Sequence, residues 1–511
     1  MADATGGASG GTWSGASGGA SGGASAGASA PAGATAASHA GASTRFWAPR
    51  AWLAGGWQAN VLLQVDSLGH WTQITPDVHP TPADATVLTG PVLPGLVDAH
   101  SHAFQRAFAG LSERRLPGRG GQPDDFWSWR DRMYGVALRI TPDQLQAVAA
   151  QLYVELLRGG YTQVCEFHYL HHAPDGSAYA DPARLSWALA DAAQDVGIGL
   201  TVLPVLYERG GFVQPALRDD QRRFRGTPAS VHALYRAVQS ADRPQVNAGI
   251  AVHSLRAASP GGIDALMKLL GDDDVPVHVH VAEQTAEVDD CLAHTGARPI
   301  EWLARELRLD ARWQLVHATH ALPAEIDAVA ARGAGVVICP STEANLGDGL
   351  PDLPRWLAAG VPITVGSDSQ VGRQWIEELR WLEYGQRLVR RQRNVAAADA
   401  DANAPGEPAT AARLFERVMQ SSGAAAGLSK WGLVPGARAD LLVLDADAPG
   451  LAGVPATHVL DALVFATDAS AIRDVYVAGR CVLAGGQHAH QARIAARFAA
   501  VMSALWSGTD P

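Results

Sequence analysis

PVLPGLVDAHSH, residues 91–102, is the stretch whose reading decides the fold. It is an apolar run, punctuated by proline and glycine, that ends in two histidines one residue apart. Side chains on a strand alternate between faces, so His100 and His102 point to the same side. Seven further runs have the same texture: TQVCEFHYL (162–170), GIGLTVLPVLY (197–207), VNAGIAVHSL (246–255), VPVHVHVAE (275–283), WQLVHATH (313–320), AGVVICPST (334–342) and VPITVGSDS (361–369). Helical stretches such as TPDQLQAVAAQLYVELLRGG (141–160) and GGIDALMKLLGDDD (261–274) separate several of them. Eight such repeats predict a (β/α)8 TIM-like barrel over residues 93–429. A doubly wound open sheet is the alternative. In run after run, however, His, Glu, Asp or Arg sits at the C-terminal end, where a barrel keeps its active site.

The flanks read differently. FWAPRAWLAGGW (46–57), NVLLQVDSLGHWTQI (60–74) and ATVLTGPVLPG (85–95) are short strands and turns, as are LVPGARADLLVLDAD (433–447), ALVFATD (462–468) and IRDVYVAGRCVLAGG (472–486). Neither group suffices for a domain alone. The expectation is one small composite β-sandwich domain built from residues 45–92 and 430–490, followed by a C-terminal helix or tail over 491–511. Residues 1–44, almost wholly Gly, Ala, Ser and Thr, cannot bury enough apolar surface to offset ordering and are expected to be a disordered tail. Val395 to Pro408 reads as an exposed loop or linker.

Composition narrows the function class. The 511-residue chain carries a formal net charge of −11, which argues against a strongly basic nucleic-acid surface. Its only lysines are Lys268 and Lys430. Cys165, Cys291, Cys339 and Cys481 are scattered without a CxxC pair, as expected of free thiols in a reducing, cytoplasmic setting. No apolar run reaches membrane-spanning length, and the N-terminus lacks the basic and apolar regions of a secretory signal.

The strand ends supply a metal set. His100 and His102 end the first run, His280 the fifth and Asp368 the eighth. Three imidazoles and a carboxylate suit one divalent cation with a position left for water; zinc fits the ligand softness best, with Fe2+ and Mn2+ as alternatives. His278, one step deeper than His280, is assigned a supporting or structural role. His168, His171 and His172 read as pocket or loop residues, and His320 as a helix-start residue. Two-metal hydrolases of this type often bridge their ions with a carbamylated lysine. Neither lysine ends a barrel strand, so a single ion is expected.

Glu283 stands three residues beyond His280. Hydrolysis of a C=N bond needs an activated water and a proton donor for the nitrogen. Glu283 is the candidate donor, Asp368 the base for the water, and His317 a group that holds the water or polarises the forming centre.

These motifs resemble the amidohydrolase superfamily, in its mononuclear deaminase branch, through PGLVDAHSHAFQRAFAG (94–110), HVHVAEQ (278–284), LVHATH (315–320) and TVGSDS (364–369). The flanking β segments are similar to that superfamily's small domain. FWSWRDRMY (126–134), EFHYLHH (166–172), AVHSLRA (251–257) and CPSTEANLGDG (339–349) resemble the formimidoylglutamate deiminases within it, over residues 46–490. The resemblance implies zinc on His100, His102, His280 and Asp368, with Glu283, His317 and Asp368 catalytic. It implies substrate contacts from Gln105, Arg130, Tyr169, His253 and Arg256, a homodimer, and hydrolysis of N-formimidoyl-L-glutamate in histidine degradation. A dicarboxylate substrate calls for arginines able to make paired hydrogen bonds, which Arg130 and Arg256 supply. The alternative for Arg130 is packing on the neighbouring tryptophans. Tyr169 and His253 read equally as satisfied polar residues of the barrel mouth. The rival functions are an aminohydrolase of a guanine-like or other amino-heterocycle, which an aromatic-walled pocket would favour, and an inactive scaffold, which the full ligand set disfavours.

Overall fold

The computed structural model describes residues 44–53, 55–114, 124–398 and 408–507. The expected N-terminal tail, apart from Thr44, and most of the expected linker at 395–408 lie outside the described residues.

Eight parallel strands form the barrel: β1 Leu96–Ser101, β2 Tyr161–His168, β3 Gly199–Leu206, β4 Ile250–Val252, β5 Val277–Val281, β6 Trp313–His317, β7 Gly335–Ile338 and β8 Ile363–Val365. A short strand, Val246–Ala248, pairs with β3 just ahead of β4. Every residue of the eight strands is buried, as parallel strands covered on both faces must be. The ring closes between β8 and β1: Ser101 bridges Asp368, the Asp368 amide donates to the His100 carbonyl at 2.9 Å, and the His102 amide donates to the Asp368 carbonyl at 3.4 Å. The seam of the barrel therefore runs through three of the expected metal ligands. Gly366 lies in this seam; a Cβ there would stand 2.6 Å from the His100 Cβ.

Local signals set the helices between the strands. Thr141 caps the helix Pro142–Arg158 in a reciprocal capping box with Gln144, proline stands in its first turn, and Leu145, Val148, Leu152 and Leu156 form its buried stripe.

Strands from both ends of the described chain join one eight-stranded sheet, in the order Arg480–Leu483, Ile472–Val477, Leu441–Leu444, Val92–Pro94, Thr44–Leu53, Gly56–Val65 and Trp71–Thr75, with Thr86–Val87 on Thr44–Leu53. Hydrogen bonding makes this a single sheet that curls round: the Trp71 amide donates to the Ala437 carbonyl at 2.9 Å, near the far side of the order. Period-two alternation divides its faces. Leu441 and Val443 enter a core shared with Phe46, Leu63 and Trp71, while Leu442 and Leu444 join the barrel's core. Only Gly95 separates Val92–Pro94 from β1.

One strand reading is corrected. ALVFATD falls in and just after the helix Val459–Ala466, which buries Val459, Leu460, Leu463 and Val464 against the helices Trp375–Arg390 and Thr410–Ala425. Positions 460, 463 and 464 carry helical spacing, which so short an apolar run does not distinguish from a strand. The C-terminal helix spans Gln491–Trp506 and packs on Pro142–Arg158.

Candidate active site

The four expected metal ligands converge at the C-terminal mouth of the barrel. His100 and His102 come from β1 and its end, His280 from β5, and Asp368 from the turn after β8. His100 Nε2 lies 2.9 Å from His280 Nε2 and 3.5 Å from Asp368 Oδ1, and His102 Nε2 lies 3.4 Å from the same oxygen. Bonds of ordinary zinc length to four tetrahedral donors would set those donors about 3.4 Å apart. The set therefore fits a divalent cation. Two buried imidazole nitrogens turned toward each other at 2.9 Å also need a proton or a cation between them. Burial holds the His100 imidazole down to about 3 and lowers His102 and His280, which favours the neutral rings that ligate metals. Burial opposes charge on Asp368, but the His100 hydrogen bond and charge, with His317 and His102, keep its carboxyl well below the usual range. The His102 ring is oriented from behind by its Nδ1, 2.9 Å from the Phe167 carbonyl.

A polar network lies beneath these donors. Asp98 accepts from the Ser367 amide at 2.8 Å and hydroxyl at 2.6 Å; Gln370 donates to the Asp368 carbonyl at 2.9 Å and to Ser101 Oγ at 3.0 Å; Ser101 donates to Glu166 at 2.8 Å. Burial pushes Asp98 up to about 8 and Glu166 up to about 7. Backbone strain gathers here too. Ala282, His317, Ala318, Asp368 and Gln370, all non-glycine, have φ between 47° and 69° at the ends of β5, β6 and β8.

Glu283 and His317 join the cluster. His317 Nε2 is 3.7 Å from Glu283 Oε1 and 3.9 Å from Asp368 Oδ2, while its Nδ1 is 3.4 Å from Glu343 Oε1. Burial, reinforced by the Asp368 charge and opposed by His317 and Arg256, raises Glu283 to about 7. Burial works against charge on His317, yet Glu283, Glu343 and Asp368 push it up to about 10.

A cavity of about 580 Å³ opens on this cluster. All five expected substrate contacts, Gln105, Arg130, Tyr169, His253 and Arg256, line it with His102, His280, Glu283, His317 and Asp368. Arg130 comes from the helix Phe126–Ala137, and Arg256 from the loop after β4. Their guanidinium carbons stand 4.5 Å and 5.6 Å from the Trp127 ring centroid, so one indole braces both. Packing and substrate binding are thus compatible roles for Arg130. The Nε atoms of both arginines are buried with no hydrogen-bond partner among the described residues, as is Gln105 Oε1. Gln105 Nε2 donates to the Tyr169 hydroxyl at 3.2 Å.

The remaining histidines stand aside. His278 Nε2 meets the Ala425 carbonyl at 2.9 Å, and His171 Nε2 the Val205 carbonyl at 3.1 Å. His168, His171, His172 and His320 do not line the cavity. Lys268 sits in the helix Pro260–Leu270 with its Nζ 2.6 Å from Asp264 Oδ2, away from the donor set. Glu343, Tyr207 and Phe224 carry no role in the sequence analysis, and Trp127 enters there only as one of the tryptophans on which Arg130 could pack. Glu343 and Trp127 do lie in quoted motifs, but their chemistry depends on partners from other loops.

The chain belongs to the amidohydrolase family, whose model matches residues 92–482. It is 45% identical over 459 residues to a formimidoylglutamate deiminase of Pseudomonas aeruginosa, covering 90% of this chain and 98% of that one. It is 27% identical over 393 residues to a 5-methylthioadenosine/S-adenosylhomocysteine deaminase of Natronomonas pharaonis, covering 77% of this chain and 81% of the relative. Among solved structures, an amidohydrolase from Brucella melitensis superposes with a TM-score of 0.83 at 39% identity, over 91% of this chain and all of that one. A zinc-bound adenosine deaminase from Xanthomonas campestris shares the fold at a TM-score of 0.72 and 22% identity, over 90% of this chain and 98% of that one. The chain is accordingly a hydrolase with a (β/α)8 barrel and a β domain, acting on a small molecule. Among the described residues, no helix is long and apolar enough to cross a membrane.

Proposed function

We propose that this chain hydrolyses N-formimidoyl-L-glutamate to N-formyl-L-glutamate and ammonia, a step of histidine degradation. The observation that carries the reading is the pair Arg130 and Arg256, with buried, unpartnered guanidinium nitrogens beside the donor set. Two cations on one small cavity suit a substrate with two carboxylates. The relative in Pseudomonas aeruginosa supports the same choice. Phe126, Trp129, Tyr134 and Tyr207 also line the cavity and favour a second reading, an amino-heterocycle deaminase. An uncharged ring would leave the buried Nε atoms of both arginines without a partner, so the first reading is preferred.

His100, His102, His280 and Asp368 would hold one divalent ion, zinc by ligand type. When bound, it supplies a Lewis acid that brings the pKa of a water near neutrality. Arg130 and Arg256 hold the carboxylates, with Gln105, Tyr169 and His253 around the chain of the substrate. His317 Nε2 holds the attacking water between Glu283 and Asp368. Asp368 takes one proton from that water as its oxygen bonds to the amidine carbon, and Glu283 gives a proton to the imino nitrogen. Asp368 then passes its proton to the departing nitrogen, the C–N bond breaks, and Glu283 recovers a proton from the new hydroxyl as the formyl C=O forms. The strained loops that hold these groups limit reorganisation during the reaction. We carry a cytoplasmic homodimer as part of this reading, to be checked by light scattering on the purified chain.

The test is ammonia release from N-formimidoyl-L-glutamate, compared with guanine, 8-oxoguanine and 5-methylthioadenosine. Turnover of a heterocycle without turnover of the formimidoyl acid would overturn the proposal.

A further inference from the structure

CPSTEANLGDG contains a buried carboxylate, Glu343, that the reaction scheme leaves without a task. It lies in the helix Pro340–Leu346, directly after β7, and reaches across to the end of β6. Its Oε1 accepts from the Cys339 amide at 3.0 Å and stands 3.4 Å from His317 Nδ1. The opposite ring nitrogen, Nε2, faces Glu283 at 3.7 Å and Asp368 at 3.9 Å. Glu343, His317 and Glu283 thus form a line of three, with the ring in the middle. The geometry points to Glu343 as a positioning residue that fixes the rotamer of His317: its carboxylate accepts the Nδ1 proton, which leaves Nε2 as the atom turned to the attacking water.

Hydrogen-bond chemistry supports the assignment. An ionised carboxylate only accepts, so an Nδ1 without its proton would set two lone pairs against each other. The Cys339 amide fixes the carboxylate first, and so Glu343 is itself held before it holds the ring. His317 has φ of 69°, a backbone state that a side-chain anchor helps to maintain. Without the anchor the ring can turn over, and its Nε2 no longer meets the water in one fixed direction. The loss falls on the chemical step, because Glu343 touches neither substrate contacts nor the four metal donors.

The first experiment needs no substrate. In the metal-loaded wild-type protein with 15N-labelled histidine, the His317 resonances, assigned by comparison with His317→Asn, should show a proton on Nδ1. A ring protonated on Nε2 alone would overturn the proposal. The second uses the assay of the proposed function. Loss of an outer hydrogen-bond partner costs about 10- to 100-fold at such sites. Glu343→Leu should lower kcat about 100-fold with KM within about twofold and metal content unchanged. Glu343→Gln keeps an acceptor oxygen and should recover kcat to within about fivefold of wild type. A Glu343→Leu variant within threefold of wild type, or a Glu343→Gln variant as impaired as Glu343→Leu, would overturn it. The inference rests on the proposed function only for its kinetic assay. Failure of the wild type to release ammonia from N-formimidoyl-L-glutamate refutes that function, while the measurement of the Nδ1 proton still decides this one.

Discussion

Replacing Glu283 by glutamine keeps the size of the side chain and removes its proton chemistry. Glu283 is buried and is not one of the four proposed metal donors, so Glu283→Gln should fold and keep its metal. Burial, with Asp368 adding and His317 and Arg256 opposing, sets the free carboxyl near 7, so protonated and ionised forms are both present at neutral pH. A positioned general acid contributes about 10²- to 10⁴-fold, which is about 3–5 kcal/mol of barrier. The kcat of Glu283→Gln should fall by that factor. The pH profile follows from the sign of the requirement: Glu283 must carry a proton to donate one, so its contribution is complete at low pH and is lost as pH rises through its pKa. A cation in the adjacent donor set draws that pKa downward, which places the basic limb of kcat/KM at or below about 7. In Glu283→Gln this limb should vanish. The assay is steady-state ammonia release from pH 5 to 9, with metal content measured on the same samples. A metal-replete variant with kcat within tenfold of wild type would remove Glu283 from the acid role.

Arg256→Met removes a charge-assisted pairing with a carboxylate worth about 1.5–3 kcal/mol, so KM should rise about 10- to 100-fold with kcat little changed; an unchanged KM argues against the contact. Chelation should abolish ammonia release and lower Tm by removing a ligand of the folded state, and divalent zinc should restore both; full turnover by verified metal-free protein would sink the metal assignment. Gly366→Ala would press a methyl group to 2.6 Å from His100 Cβ and 2.8 Å from its carbonyl oxygen. Opening the seam should cost about 1–3 kcal/mol and reduce metal content; wild-type Tm and metal stoichiometry would refute that reading of the seam.

Much of the site was legible because strand geometry is local. In DAHSH the two histidines share a face by alternation alone, and His280 and Asp368 announce themselves as polar ends of apolar runs. The sequence also disclosed that two flanking β segments belong together, since neither holds a core of its own. It misread ALVFATD, where too few residues separate a period of two from a period of 3.6. Distances between strands are a different matter. A run tells which way its side chains point, but closure of the barrel decides what they meet. Bringing Asp368 into bridge contact with Ser101 is what places its carboxylate among the imidazoles. The reach of Glu343 from beyond β7 to His317 at the end of β6, and the one indole of Trp127 between Arg130 and Arg256, likewise arise from residues far apart in the chain. The donor types and their facing were therefore set by the sequence, whereas their spacing, and the partners that orient them, were set by the tertiary fold, because alternation is a property of one strand and convergence a property of eight.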